Sequence, residues 1–156
     1  MLAPMKIAVK RRNFIFLALA AAGLAAFALA GRGRATSAEY ALDRDPEVIA
    51  ATFASAWCTA CKILEPKLAK AIPSFADKPV KFVEYDFTFG ETEEVRAAAL
   101  ADGLGPVFDR YAKATGFTVL YDPQTEEVID VLTAGHSTGA MRAAIARALT
   151  IAENRE

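Results

Sequence analysis

The chain holds two cysteines, in the stretch Trp57-Cys58-Thr59-Ala60-Cys61-Lys62. Thiols at that spacing either close a small disulfide or supply two ligands to a metal. Their neighbours favour the disulfide. An apolar run, Val48 to Ala54, leads in with strand character, and a helical pattern follows, with Leu64, Leu68 and Ile72 on one face. Cys58 is therefore expected at a strand-to-helix junction, near the first turn of the helix. Unpaired N–H groups and the helix dipole stabilise a thiolate there, and thiols so placed fall from about 8.5 to about 3.5–7.5 in pKa. That chemistry is thiol–disulfide exchange. Structural zinc needs four ligands, and His136 is the only histidine, so a Cys/His set cannot be completed within one chain and no metal is expected. A purely structural disulfide is the other rival, but a bridge within one helical turn closes too short a loop to stabilise much.

The N-terminus sets a compartment. Lys6, Lys10, Arg11 and Arg12 precede Phe14 to Ala30, an unbroken apolar stretch of 17 residues. Ala28-Leu29-Ala30 and Thr36-Ser37-Ala38 each offer a small-x-small cleavage site, which completes the layout of an export signal. Arg11-Arg12-Asn13-Phe14 also fits a twin-arginine pattern, and general secretion fits equally. The alternative to cleavage is retention of Phe14 to Ala30 as a membrane tether, since 17 residues lie at the lower edge of a bilayer span. Basic residues ahead of the segment outnumber Arg32 and Arg34 behind it, so either outcome leaves the C-terminal part outside the cytoplasm. The expected location is the periplasm or the outer face of the inner membrane, with residues 1–38 as signal or anchor plus linker and residues 39–156 as the folded domain.

From Glu39 onward there are 12 Lys/Arg against 19 Asp/Glu, a net charge of 12 − 19 = −7. That excludes nucleic acid as an expected partner. The helix after the cysteines is expected to reach about Phe75, with Pro66 inside it. Val80 to Phe87 alternates as a half-buried strand should. Glu91 to Ala101 reads as a helix stopped by Gly103 and Gly105, and Pro106 opens a short helix through Ala114. Phe117 to Tyr121 is a strand, Asp122-Pro123-Gln124-Thr125 a turn, and Glu126 to Thr133 its hairpin partner. Ser137 or Thr138 caps a last helix, Ala140 to Ala152, with Met141, Ile145, Ala148 and Leu149 on one face. A helical crossover makes the first two strands parallel and a hairpin closes the sheet. The class is α/β.

With this order and this motif, the chain resembles the thioredoxin fold family over about Val48 to Leu149. The resemblance rests on Trp57-Cys58-x-x-Cys61-Lys62, on Pro66 five positions after the second cysteine, on the Phe108 to Gly116 approach to the third strand, on Tyr121-Asp122, and on Gly135-His136-Ser137. The motif is similar to that of the exported C-terminal thioredoxin domain of the disulfide interchange protein DsbD, which carries a Glu four residues after its second cysteine, as Glu65 does here. The resemblance implies a mixed sheet flanked by helices, with a redox disulfide between Cys58 and Cys61. Cys58 would attack the substrate and Cys61 would resolve the mixed disulfide. Trp57 would flank the thiols, and Pro66 would kink the helix. Glu65 would either accept the Cys61 proton or remain a solvated helix carboxylate. Lys62 reads as surface charge and His136 as a cap or loop residue.

The chain departs from the family at three places. Thr52 stands where many thioredoxins have a buried Asp. The family's cis-proline should fall within Gly116-Phe117-Thr118-Val119, where there is none, so Phe117 or Thr118 takes its place in the substrate site through a trans bond. Phe89 to Gly105 is longer than the usual link and inserts a helix before the third core strand, while the family's first strand and helix are cut short between Ser37 and Asp45. The implied function is an exported thiol–disulfide oxidoreductase, reducing or isomerising the disulfides of envelope proteins and needing no cofactor. A membrane reductant conductor is a candidate partner. The alternatives are a non-catalytic binding module and a dedicated electron carrier for envelope protein assembly.

Overall fold

The computed structural model describes residues 45–112 and 114–155. The signal or anchor segment, and the truncation expected between Ser37 and Asp45, therefore lie outside the described residues, Asp45 apart. The elements run β1 (Val48–Ala54), α1 (Thr59–Ala71, continued by a 3-10 turn Ile72–Phe75), β2 (Val80–Asp86), α2 (Glu93–Ala101), α3 (Gly105–Tyr111), β3 (Phe117–Asp122), β4 (Glu127–Thr133) and α4 (Thr138–Glu153). The sheet order is β2-β1-β3-β4. β1 pairs parallel with β2 and antiparallel with β3, and β3 pairs antiparallel with β4. This is the expected mixed sheet with helices on both faces.

β1 lies inside the sheet and is buried along its whole length, which is why it reads as a continuous apolar run. Its side chains still alternate. Val48 and Ala50 face Leu64 and Leu68 of α1 and Met141, Ile145 and Ala148 of α4. Ile49, Ala51 and Phe53 face the opposite layer, with Tyr85, Phe87, Val107 and Phe108. The apolar stripes expected on α1 and α4 are thus the ones that cover the sheet.

Element ends differ from the expected ones where a cap or a positive φ intervenes. Thr92 Oγ1 accepts the Val95 N–H at 3.2 Å, so α2 begins two residues after Glu91. Ser137, not Thr138, caps α4, its Oγ accepting the Ala140 N–H at 3.1 Å. α3 ends at Tyr111 rather than Ala114, because the chain must turn at Gly116 to enter β3 beside β1. Among the described residues no helix is long and apolar enough to cross a membrane.

Candidate functional site

The parallel crossover brings the chain off the end of β1 directly into α1, and both cysteines sit at that junction. Cys58 is the N-cap of α1, with φ −83° and ψ 110°, and its sulfur accepts the Cys61 N–H at 3.1 Å. A helix start leaves its first N–H groups without intrahelical acceptors, so a sulfur at this position meets a donor and the positive end of the helix dipole. The two cysteines are joined as a disulfide, with Cα atoms 5.3 Å apart. They differ in access: Cys58 is half-buried, whereas Cys61 is 1% exposed. An attacking sulfur that reaches solvent and a second one behind it is the arrangement that thiol–disulfide exchange requires.

Trp57 projects beside the pair, 79% exposed, and its indole N–H donates to the Thr88 carbonyl at 3.3 Å. Pro66 lies inside α1, where it has no N–H to give to the turn before it. Lys62 is exposed, as expected. His136 sits in the turn ahead of α4, its Nδ1 accepting the Thr133 N–H at 3.1 Å, which is a turn-closing role.

The wall opposite Cys58 is formed by a residue that the sequence reading did not single out. Gly116 has φ +96°, and its N–H donates to the Phe53 carbonyl at 2.8 Å, which fixes it against β1. A Cβ placed on it would lie 2.7 Å from Ala60 Cβ and 3.1 Å from Cys58 Sγ. The backbone of Gly116 is therefore what abuts the sulfur. Phe117 and Thr118, the two residues expected in the substrate site, follow Gly116 into β3. Phe117 is half-buried and stacks on Phe53 at 5.2 Å, inside the aromatic layer under α3. Thr118 is wholly buried, and its hydroxyl pairs with that of Thr52 at 2.9 Å. Thr118 is thus no part of the solvent-facing surface, because the strand alternation that turns Phe117 to one layer turns Thr118 to the other. No peptide bond among the described residues is cis, as the missing proline predicted.

Thr52 and Thr118 are cross-strand partners in register, so two buried hydroxyls satisfy each other there. The parallel neighbour of Thr52 on the other side is Glu84. Partial loss of water around its carboxyl, followed by the negative charges of Glu65 and Asp86, raises the pKa of the exposed Glu84. Glu65 is exposed on α1 and close enough to act on Glu84. The site therefore carries two neighbouring carboxylates, of which the sequence reading named one. Alternation along β2, with Val80 and Phe82 in the α1 layer and Val83 and Tyr85 in the other, puts Glu84 on the α1 side, but its place beside Thr52 comes from the pairing of β2 with β1.

The thioredoxin family model matches residues 35–99, which span β1, the cysteine motif, α1, β2 and most of α2. The fold of the domain is thioredoxin-like. Solved structures similar to this chain include a malarial protein (17% identity, 65% of this chain and 97% of that one, TM-score 0.43). StoA from Bacillus subtilis is similar at 14% identity, over 65% of this chain and 84% of that one, with a TM-score of 0.44. A thiol:disulfide interchange protein of the thioredoxin family from Chlorobium tepidum matches at 17% identity, over 66% and 80% of the two chains, with a TM-score of 0.46. No curated protein matches the chain.

Proposed function

We propose that this chain is an exported thiol–disulfide oxidoreductase that reduces or isomerises disulfides of envelope proteins. The observation that carries the reading is the asymmetry of the pair: Cys58 is a half-buried helix N-cap, and Cys61 is buried one turn behind it. In the reducing direction the Cys58 thiolate attacks one sulfur of a partner disulfide. A mixed disulfide forms and the other partner sulfur leaves as a thiolate. Cys61 then loses its proton and attacks the Cys58 sulfur, which closes Cys58–Cys61 and releases the second partner thiolate. Two electrons pass to the partner, and its two thiolates take up protons, one of them equivalent to that lost by Cys61. Glu65, one helical turn after Cys61 on α1, and Glu84, paired with Thr52 across β1 and β2, are the carboxylates proposed to take this proton.

The Phe14 to Ala30 segment supports export, with the domain soluble or tethered on the outer face of the inner membrane. The similarity of the cysteine motif and Glu65 to the DsbD domain favours the reducing or isomerising direction, with a membrane reductant conductor to restore the dithiol. The trans backbone at Gly116 to Thr118 favours, as the second reading, a binding module or dedicated carrier that exchanges with few partners.

The test is a trap in the native envelope. The Cys61→Ala protein should accumulate partners disulfide-linked to Cys58, identifiable after release by dithiothreitol. A fusion of alkaline phosphatase after Glu156 should be active. Absence of any Cys58-linked partner, together with an inactive fusion, would remove both the exchange and the compartment.

A further inference from the structure

Two aromatic rings stand in water on two joined loops, one of which leads into Cys58. Trp57 is 79% exposed and Phe89 is 91% exposed. They come from different loops, yet the loops form one hydrogen-bonded unit. The Trp57 indole N–H donates to the Thr88 carbonyl, the Ala56 N–H donates to Thr88 Oγ1 at 2.9 Å, and the Phe87 N–H donates to the Ala54 carbonyl at 2.8 Å. Thr88 is itself anchored, its N–H donating to Asp86 Oδ1 at 2.8 Å. Beyond Phe89, the Gly90 N–H donates back to the Phe87 carbonyl at 2.9 Å, and Gly90 takes φ +83° to close the turn. The backbone on both sides of Phe89 is thus pinned, and it is pinned to the segment that delivers Trp57 and Cys58. Burying a phenyl ring is worth about 1.5–3 kcal/mol, so a fixed turn that holds one out in water forgoes that stabilisation in the isolated chain.

The charge around this turn has one sign. From Glu84 to Glu94 the chain carries Glu84, Asp86, Glu91, Glu93 and Glu94 and no Lys or Arg. The next cation, Arg96, is bound by Glu91 at 2.7 Å and by Asp109 at 3.0 Å. Lys62, after the second cysteine, lies on α1 rather than on this loop. Arg96 thus neutralises Glu91, while among the described residues no cation pairs with Glu84, Asp86, Glu93 or Glu94. An apolar patch beside these acids fits a segment that is apolar and basic.

We propose that Trp57 and Phe89 form the docking platform for the partner segment that carries the target disulfide, and that this segment is an apolar stretch of polypeptide with Lys or Arg beside its cysteine. This inference rests on the exchange function proposed above. It makes Phe89 a specificity-determining residue, contributed by the lengthened link after β2.

The probes are two disulfide-closed peptides with the same Phe and Leu residues, one bearing two Lys beside the cysteines and the other two Glu, with oxidised glutathione as the small reference disulfide. The full chain, in non-ionic detergent and pre-reduced with dithiothreitol that is then removed, should reduce the Lys peptide about tenfold faster than the Glu peptide, and added salt should shrink that ratio. Phe89→Ser should lower the ratio of Lys-peptide rate to glutathione rate by about tenfold, the effect of about 1.4 kcal/mol of lost contact. Glu93→Gln with Glu94→Gln should lower the preference for Lys over Glu without needing Phe89 changed. A Phe89→Ser protein with the wild-type rate ratio, or equal rates on the two peptides, would overturn the proposal while leaving the exchange function standing. No reaction with glutathione by the wild-type chain would instead remove the exchange function itself. A dimer in sedimentation that Phe89→Ser dissolves would place a second copy of the chain on the platform and overturn the proposed occupant.

Discussion

Gly116→Ala probes the wall of the site, and its cost can be worked from the geometry. At φ +96° an L side chain is strained, and residues held in such sparsely populated regions cost about 1–3 kcal/mol. The new Cβ also meets Ala60 Cβ at 2.7 Å, about 1 Å inside a normal carbon–carbon contact of about 3.5–4.0 Å. Ala60 has no flexible end to move aside, so either the first turn of α1 or the entry of β3 must shift, an overpacking cost of about 1–3 kcal/mol. The total is about 2–6 kcal/mol, a large part of the about 5–15 kcal/mol that holds a domain folded. Gly90 supplies the control. Its φ is +83°, but a Cβ there meets nothing within 4 Å, so Gly90→Ala carries the backbone strain alone. Urea unfolding of both variants, followed by the emission of Trp57, the single tryptophan, should place Gly116→Ala below Gly90→Ala by about 1–3 kcal/mol. The shift falls on the turn that holds Cys58, 3.1 Å from the new atom, so glutathione exchange should change in Gly116→Ala as well. Equal midpoints for the two variants would refute the close approach of Gly116 to the cysteine turn.

Thr52→Val alone strands the buried Thr118 hydroxyl and should cost about 1–3 kcal/mol, whereas Thr52→Val with Thr118→Val should cost clearly less than the sum of the singles; additive losses in a double-mutant cycle would deny the hydroxyl pair. Glu84 has its carboxyl raised above 4.5 in the folded state, so the native chain binds the proton more tightly than the unfolded one. Its contribution to stability is then present below 4.5 and lost as pH rises through the folded value. Glu84→Gln should therefore gain in melting temperature relative to wild type at neutral pH and lose that advantage below pH 4.5; a gain that persists unchanged in acid would contradict the assignment. In the reduced protein, iodoacetamide should label Cys58 much faster than Cys61, which is 1% exposed; equal rates would contradict the asymmetry.

Most elements were legible because each carries a strong local signal. The apolar run of β1 lies in the interior of the sheet, the Leu64–Leu68 and Met141–Ile145 spacings face it, and the Asp122-Pro123-Gln124-Thr125 turn joins β3 to β4. The cysteine junction was legible for the same reason, since a strand followed closely by a helical stripe places Cys58 near the first turn of the helix, where the structure makes it the N-cap. What was not legible depends on register across the sheet. Whether Phe117 or Thr118 meets the sulfur is decided by where β3 pairs with β1, and that pairing puts Thr118 opposite Thr52 and leaves Gly116 against Cys58. Glu84 was hidden likewise: its relevance comes from lying beside Thr52 across a parallel pair 32 residues apart, which no local pattern announces. Phe89 reads in sequence as one more apolar residue, and only the bonds from Trp57 and Ala56 to Thr88 show that it is held outward.

The central claim is that Cys58 and Cys61 are a working dithiol–disulfide couple, and its most direct test is equilibration of the full chain in glutathione buffers of stepped redox ratio, read by Trp57 emission and by thiol alkylation. The account predicts one reversible two-electron transition that involves both cysteines, is abolished by Cys58→Ser, and gives way to a stable glutathione adduct on Cys58 in Cys61→Ser. A pair that stays oxidised at every ratio, with no adduct in Cys61→Ser, would contradict it and return the disulfide to a structural role.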